Sequence, residues 1–249
     1  MKNLAFKHVL GVVLLSAVLL LLGRCASTNS AGGQTGSPEM HYLQGMNLWD
    51  SGESARAEEE FDKALLLNPR YGLALGGKAL VTAVRAHQDS NRQQLRAGFN
   101  QAHAFAKRGI NLSPNTPEVY IAKAVVIALE NEGEASGKWI EDVEDLYELA
   151  LKIDSSNAEA HYRRGVLYKS TLQFAKAKAD FSRVLSLNQR YTTEADIQLQ
   201  SMVDIERSAP ASPTGMKVAI SNHISRKDIV ALLASELELK SRVGTNLPS

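Results

Sequence analysis

Three kinds of apolar pattern follow one another along the chain. Val9 to Leu22 is a run of 14 residues without a charge, and residues 26 to 37, ASTNSAGGQTGS, contain no apolar side chain larger than alanine. From residue 38 onwards, alanine and leucine recur at helical spacing in segments separated by short polar stretches. Small apolar residues at this spacing favour closely packed helices over strands. We therefore expect an all-α domain after a short flexible segment.

Two segments of the helical region are copies of one pattern. HYLQGMNLWDSGESARAEEEFDKALLLNPRY, residues 41 to 71, aligns without a gap to HYRRGVLYKSTLQFAKAKADFSRVLSLNQRY, residues 161 to 191. Among the shared residues are the glycines Gly45 and Gly165. An internal repeat of this kind indicates stacked copies of one supersecondary unit.

The first copy resembles the tetratricopeptide repeat, a pair of antiparallel helices in 34 residues. In that pattern two small residues let the helices approach each other, an aromatic side chain fills the gap between repeats, and a proline ends the second helix. The matching residues here are Gly45, Ala57, Phe61, Ala64 and Pro69. The resemblance implies a right-handed α-solenoid.

Four units fit the sequence if two insertions are allowed. Pro69 to Pro114 spans 45 residues and Pro114 to Ser155 spans 41, which is one repeat plus 11 and one repeat plus 7. The surplus residues fall in two polar stretches, 87 to 97 and 130 to 137. We expect both insertions to be loops between the two helices of a unit, where extra length costs little.

Capping residues mark several helix starts in this phase. Thr116 and Pro117 place a cap before a proline at the first helical position, and Ser156 with Glu159 predicts a capping box. Thr192 to Ser208 has the pattern of one further amphipathic helix, which would cap the open end of the solenoid.

The chain ends in a linker and a second segment. Residues 209 to 215, APASPTG, predict a linker between the solenoid, 38 to 208, and the segment 216 to 249. In that segment a helix begins at Ser225, and ISRKDIVALLASEL is similar to the closing part of an S-layer homology domain. An amphipathic helix that packs on the solenoid explains the segment equally well.

The N-terminal pattern is that of a secretory signal peptide. Lys2 and Lys7 precede the uncharged run, and small residues follow it. The run is too short to cross about 30 Å of hydrocarbon as a permanent helix. We therefore expect residues 1 to 24 to direct export of the chain.

The lone cysteine, Cys25, directly follows this signal. Leu22, Gly23 and Cys25 resemble the lipobox of bacterial lipoproteins, whose cysteine receives a diacylglyceryl group and becomes the first mature residue, whereas Arg24 departs from that pattern. The resemblance implies a chain tethered by Cys25 and a flexible segment 25 to 37, and Ala26 implies the outer membrane, facing the periplasm. Ordinary cleavage to a soluble periplasmic product and an uncleaved anchor stay open as alternatives.

Charge argues against binding to nucleic acid. Removal of residues 1 to 24 leaves 25 basic and 27 acidic residues in the mature chain. A nucleic-acid-binding protein carries a basic surface and usually a basic total. The expected partners are instead another envelope protein, the membrane through the lipid anchor and a cell-wall polymer.

No motif for catalysis, cofactor binding or metal binding stands out. A single cysteine supports neither a disulfide nor a multi-cysteine metal site. His41 and His161 occupy the same repeat position, so the fold explains them better than metal ligation does. The carboxylates of ENEGEASG do not alternate as a calcium loop requires. We expect a protein that is not an enzyme and has no cofactor.

The resemblance also implies where a partner binds. In tetratricopeptide repeats the second, fifth, ninth and twelfth positions tend to face the concave side of the solenoid. These positions are largely apolar here, which favours an apolar or amphipathic ligand over a terminal carboxylate. The candidate groove residues are Tyr42, Met46, Trp49, Leu80, Ile121, Val125, Tyr162, Val166 and Lys169.

Trp49 is the most informative of these positions. An exposed tryptophan in a groove is a binding hot spot, whereas a buried one belongs to the core. The sequence thus predicts a membrane-tethered interaction scaffold of the bacterial envelope that grips a peptide or helix of a partner. The alternative is a structural cell-wall or S-layer attachment factor that acts through its C-terminal segment.

Overall fold

The computed structural model describes residues 36–134, 136–208, 214, 215 and 218. None of these residues lies in a strand, and between residues 38 and 208 they form nine helices. The helices are α1 (Pro38–Asp50), α2 (Ser54–Leu67), α3 (Gly72–His87), α4 (Arg92–Leu112), α5 (Pro117–Glu130), α6 (Lys138–Ile153), α7 (Ala158–Ser170), α8 (Phe174–Leu187) and α9 (Thr192–Ser208).

Consecutive helices pair and the pairs stack, which makes the domain an all-α solenoid. The pairs α1–α2, α3–α4, α5–α6 and α7–α8, here called units 1 to 4, each pack internally and against the next unit, and α9 packs on α8. The first helices also touch one another, α1 with α3, α3 with α5 and α5 with α7. The first helices therefore form one layer of the solenoid.

Several sequence predictions fall on residues that the structure does not describe. They are the signal peptide, Cys25, almost all of the predicted flexible segment 25 to 37 and of the predicted linker 209 to 215, and the S-layer-like C-terminal segment. Among the helices that the structure does describe, none is both long and apolar enough to cross a membrane.

The ring of Phe61 sets the distance between units 1 and 2. A methyl group built on Gly45 of α1 would lie 2.5 Å from Phe61 Cε1, and one built on Gly77 of α3 would lie 2.5 Å from the same atom. Both glycines are therefore needed to admit the fully buried ring. The prediction that Gly45 and Phe61 pack between helices is confirmed, and Gly165 meets Phe181 in the same way in unit 4.

The first insertion is mostly helix, so its prediction as a loop was wrong. Only residues 88 to 91 connect α3 to α4, and residues 92 to 97 lengthen α4 at its N-terminus. The Asn91 side chain accepts hydrogen bonds from the backbone N–H groups of Gln93 and Gln94, which caps the lengthened helix. The second insertion does form a connection, which follows Glu130.

One predicted cap is also displaced by one residue. Pro117 occupies the first turn of α5 as expected, but α7 is capped by Asn157, whose side chain accepts from the Ala160 backbone N–H at 2.9 Å. Ser156 instead donates its hydroxyl to Asp154 Oδ1 at 2.7 Å. The helix therefore starts one residue later than the capping box indicated.

Net charge alternates from unit to unit. Residues 38–71 hold seven acidic and three basic residues, 72–116 one and six, 117–153 nine and three, and 158–191 two and seven. Neighbouring units thus carry opposite net charge, which favours their stacking in this order.

Polar contacts that involve charged side chains cross each junction between units. Lys78 Nζ donates to Glu58 Oε1 at 2.8 Å between units 2 and 1. His103 Nε2 lies 2.6 Å from Glu130 Oε2 between units 2 and 3. Lys176 Nζ donates to Glu144 Oε1 at 3.1 Å between units 4 and 3.

The repeated histidines pair with acids inside their own units. His41 Nδ1 lies 2.6 Å from Glu60 Oε2, and His161 Nδ1 lies 2.8 Å from Asp180 Oδ1, in both cases 19 residues along the chain. Asp180 also accepts from Arg164 Nε at 2.8 Å. This pairing explains the shared histidine without any metal.

Asp180 is buried, and its partners decide its charge state. Burial by itself raises the pKa of this carboxyl, but hydrogen bonds and positive charge from Arg164 and His161 outweigh burial and hold the pKa below its ordinary value. Asp180 therefore stabilises the fold as an anion.

Replacing Gly77 by alanine should destabilise the protein, whereas replacing its neighbour Gly76 should not. The new methyl group at residue 77 would overlap Phe61, at an expected cost of about 1–3 kcal/mol in free energy of unfolding. At residue 76 the nearest atom, Ala122 Cβ, is 3.5 Å away, so alanine should be neutral or stabilising by up to about 1 kcal/mol. Denaturant unfolding followed by circular dichroism measures both variants, and equal losses would contradict the role given to Phe61.

Asp180→Asn should lower stability by roughly 2–4 kcal/mol at neutral pH, because Arg164 loses its buried partner. Since the pKa of Asp180 is lowered in the fold, its stabilisation is present above the unfolded value of about 3.9 and is lost as pH falls through the folded value. The difference between wild type and variant should therefore shrink between pH 6 and about pH 3.

The matched control is Asp196→Asn on α9, an exposed aspartate. This substitution should change the free energy of unfolding by no more than about 0.5 kcal/mol at every pH. A constant difference between wild type and Asp180→Asn at every pH would show that the loss comes from packing rather than charge.

Candidate partner-binding groove

Most of the predicted groove residues lie between helices rather than on an open surface. Val166 is the one with a large exposed fraction, 40%. Met46, Trp49, Tyr162 and Lys169 are partly buried. The others are buried, with exposed fractions of 3–8%: Tyr42, Leu80, Ile121 and Val125.

The inner face of units 1 to 3 is closed by contact between the first helices. Tyr42, Met46, Leu80 and Ile121 surround a space of only about 10 Å³, room for about one water molecule. Small residues such as Gly76 bring these helices close together. No ligand segment fits between them in this arrangement.

Trp49 takes part in this closure. Its side chain is partly buried and packs against two core clusters, one containing Val81 and the other Ile121. Of the two roles considered for Trp49, the structure therefore favours packing. The expectation that Trp49 is an open anchor of the groove needs this correction.

Charged side chains near the start of α7 also help to close the inner face of the solenoid. Arg190, after α8, donates to Asp50 at the end of α1, 140 residues away in sequence. Its other terminal nitrogen lies 3.7 Å from Glu159 Oε2, and Glu159 also accepts from Arg163 Nε at 2.7 Å. Burial raises the pKa of nearby Glu118, whose carboxyl faces the same interior. This network ties the last unit to the first helix.

Lys169 is also occupied. Its Nζ donates to Gln198 Oε1 at 2.8 Å and to Ser201 Oγ at 3.0 Å, both on α9. Burial lowers the pKa of this lysine. Its role in the described structure is to hold α9 to α7.

An open cavity of about 540 Å³ remains between units 3 and 4. Three predicted groove residues, Val125, Tyr162 and Val166, line it together. Apolar and aromatic side chains of α5, α6 and α7 form most of its wall. The further lining residues are Ala128, Leu129, Asn131, Glu132, Gly133, Glu134, Trp139, Val143, Tyr147, Arg163, Leu167, Ser170 and Thr171.

Residue size at one junction accounts for the position of the cavity. At the first junction, two helix positions are occupied by Phe61 and Gly77. The equivalent positions at the third junction are occupied by Tyr147 and Arg163. Glycine admits the aromatic ring and lets the first helices pack closely, whereas with arginine at this position α5 and α7 touch less extensively. The space that remains at the third junction is the cavity.

Two aromatic residues of the cavity were missed by sequence reasoning. Trp139 and Tyr147 lie on α6, a second helix, and only first helices were searched for groove positions. Trp139, Val143 and Tyr147 follow at intervals of four and so share one helix face. The signal that could have found them is this stripe, placed directly after an insertion.

The polar groups of the cavity are few. Trp139 Nε1 is buried and has no hydrogen-bond partner among the residues described here. The guanidinium of Arg163 is committed to Glu159. Val166, Ser170, Glu132 and Glu134 are exposed and form the rim. Such a site suits an apolar group that enters from solvent.

Metal chemistry finds no support in the described ranges, where no three histidine, cysteine or acidic side chains are placed to hold an ion.

Comparison with known proteins gives the repeat type. The family model described as tetratricopeptide repeat matches residues 38–71 and 158–191, which are units 1 and 4. No curated protein matches the chain in sequence.

Two solved structures match parts of the chain. A thermophilic TPR protein of Thermus thermophilus is 20% identical, with a TM-score of 0.49, and the match covers 84% of this chain and 97% of that chain. MamA from residue 41 to its end, from Desulfovibrio magneticus, is 20% identical, with a TM-score of 0.40 and coverage of 60% and 75%. From the repeat match and the stacked helix pairs, we conclude that the chain carries tetratricopeptide repeats in an all-α solenoid.

Proposed function

We propose that the protein is a membrane-tethered interaction scaffold of the bacterial cell envelope, which binds a segment of a partner protein in the cavity between units 3 and 4. The observation that carries this proposal is the cavity itself. Tetratricopeptide repeats are interaction modules, and in this chain the inner face of units 1 to 3 is closed. The open, apolar part of the predicted groove is therefore where a partner binds.

The dimensions and lining of the cavity suit one or two large side chains. Its volume of about 540 Å³ lies in the range of ligand pockets. Trp139, Tyr147 and Tyr162 supply aromatic surface from two different units. Aromatic residues in a partly enclosed pocket commonly contribute much of the affinity of an interface. The ligand is an apolar or amphipathic segment rather than a free carboxylate.

The membrane tether is proposed from the sequence. Cys25 follows a signal-peptide pattern in a lipobox-like setting, and the twelve residues that separate it from Pro38 reach about 20 Å as a flexible chain. A solenoid held at this distance from the outer membrane meets partners that are themselves part of the envelope. No catalytic step belongs to this function.

A photo-crosslinking residue at position 166 should capture a partner, whereas the same residue at position 66 should not. Val166 lines the cavity and is 40% exposed. Leu66 is the matched control, because it is an apolar residue of α2 with 69% of its surface exposed and lies outside the cavity. Benzoylphenylalanine at each position, followed by irradiation of living cells, should give a discrete adduct only from position 166.

A second pair of variants tests the same site without a crosslinker. Val166→Gln should weaken capture of the partner identified at position 166, because a polar amide enters the apolar wall. Leu66→Gln should leave capture unchanged. Equal adducts from positions 66 and 166, or none from either, would count against the cavity as the binding site.

Cys25 should carry lipid in cells. Two or three acyl chains, at about 0.8 kcal/mol per buried methylene, would hold the chain on a membrane where one chain would not. Metabolic labelling with an alkyne fatty acid should mark the wild type and not Cys25→Ser, and Arg24→Ala should speed processing if Arg24 is the unfavourable residue of the lipobox. An unlabelled wild type, or equal labelling of Cys25→Ser, would refute the tether.

A further inference from the structure

We propose that the segment bound between units 3 and 4 is basic: a large apolar side chain flanked by lysine or arginine within about one helical turn. This inference rests on the proposed function and adds the chemistry of the partner. It follows from the charges around the cavity rather than from its apolar wall.

The rim of the cavity carries negative charge. Glu132 and Glu134 belong to the connection between α5 and α6, line the cavity and are exposed. Glu132 has a histidine neighbour, His87 Nε2 at 2.8 Å. Glu134 has no ion-pair partner among the described residues. A cation that approaches the rim therefore meets two carboxylates.

Helix α7 supplies no free cation to balance them. The arginines and lysine of α7 are already used, Arg163 by Glu159, Arg164 by Asp180 and Lys169 by α9. The side chains that α7 presents at the rim, Ser170 and Thr171, are neutral. Among the residues that line the cavity, an anionic ligand would thus find no unpaired positive group.

The rest of unit 3 strengthens the negative potential. Residues 117–153 hold nine acidic and three basic residues. Four exposed acids of α6 face solvent and have no ion pair within the described chain: Glu141, Asp142, Asp145 and Glu148. They act over the distance of a Debye length, about 10 Å at 0.1 M salt, and so draw basic partners towards this unit.

The apolar wall and the acidic rim together define the ligand. The interior requires an apolar anchor, and the rim requires positive charge beside it. An amphipathic helix with leucine or phenylalanine on one face and lysine next to that face meets both conditions.

Two synthetic peptides of about 20 residues test this chemistry. Both carry leucine and phenylalanine on one helical face and no tryptophan, and they differ only in lysine or glutamate at the flanking positions. Trp49→Phe leaves Trp139 as the single tryptophan of the chain, so its fluorescence reports binding at the cavity. The lysine peptide should bind about tenfold more tightly than the glutamate peptide at low salt, and added salt should narrow the difference.

Charge variants of the protein show which carboxylates cause the preference for the lysine peptide. In the Trp49→Phe background, Glu132→Gln with Glu134→Gln should reduce the preference to about threefold or less. Asp145→Gln with Glu148→Gln removes the same amount of charge from the outer face of α6. This double variant should keep most of the preference for the lysine peptide. Val166→Gln should weaken binding of both peptides.

The outcomes separate this inference from the proposed function. Equal affinity for the two peptides, or tighter binding of the glutamate peptide, would overturn the proposal that the ligand is basic. The cavity would still stand as a binding site. Failure of both peptides to bind would overturn both proposals.

Other occupants would show themselves in the same assay. Tighter binding after Leu232→Gln with Leu233→Gln would mean that the chain's own C-terminal segment fills the cavity. A protein dimer that the lysine peptide dissociates would assign the cavity to a second copy. Either result would overturn a separate partner protein as the ligand.

Discussion

The fit of one phenylalanine ring between two glycines governs this solenoid. Phe61 occupies the space that side chains at Gly45 and Gly77 would fill, since a methyl group placed on either glycine would lie only 2.5 Å from the ring. The two units can therefore approach until their first helices touch, and Tyr42 and Leu80 become buried between them. A tetratricopeptide array with such close contacts loses the open groove that the repeat pattern implies. The proposed binding site is the junction where this fit is relaxed.

That junction lies between units 3 and 4, where Tyr147 and Arg163 stand in place of the phenylalanine and the second glycine. The arginine cannot be accommodated as the glycine is, and it pairs instead with Glu159 on its own helix. The cost of keeping a partly buried guanidinium is offset by this ion pair. This less extensive packing leaves the cavity, and the connection that carries Glu132 and Glu134 forms part of its edge. The replaced residues thus account for the space, and the second insertion supplies the acidic edge.

Sequence reasoning predicted the elements better than the site. The alignment of residues 41–71 with 161–191 fixed the phase of units 1 and 4, because Gly45, Phe61 and their counterparts are local requirements of helix packing. The lengthened start of α4 was missed because polar residues such as those of 92–97 are equally compatible with a loop and with a solvent-exposed helix. The closed inner face into which Trp49 packs was missed for a different reason. It depends on contacts between units, which no single repeat contains. Trp139 was missed because the repeat pattern directs attention to first helices.

Helix α7 separates the closure of the solenoid from the cavity. Glu159, which belongs to the network with Arg190, lies in its first turn, whereas Val166 and Ser170 lie in its second half, and a rise of 1.5 Å per residue places Glu159 and Ser170 about 16 Å apart. A ligand can therefore contact the last two turns of α7 without breaking the ion pairs at its start. The walls of the site come from helices that are already packed, so little chain ordering accompanies binding. Affinity at the proposed site would then depend mainly on how well the ligand matches the aromatic wall and the acidic rim, because folding has already shaped the cavity.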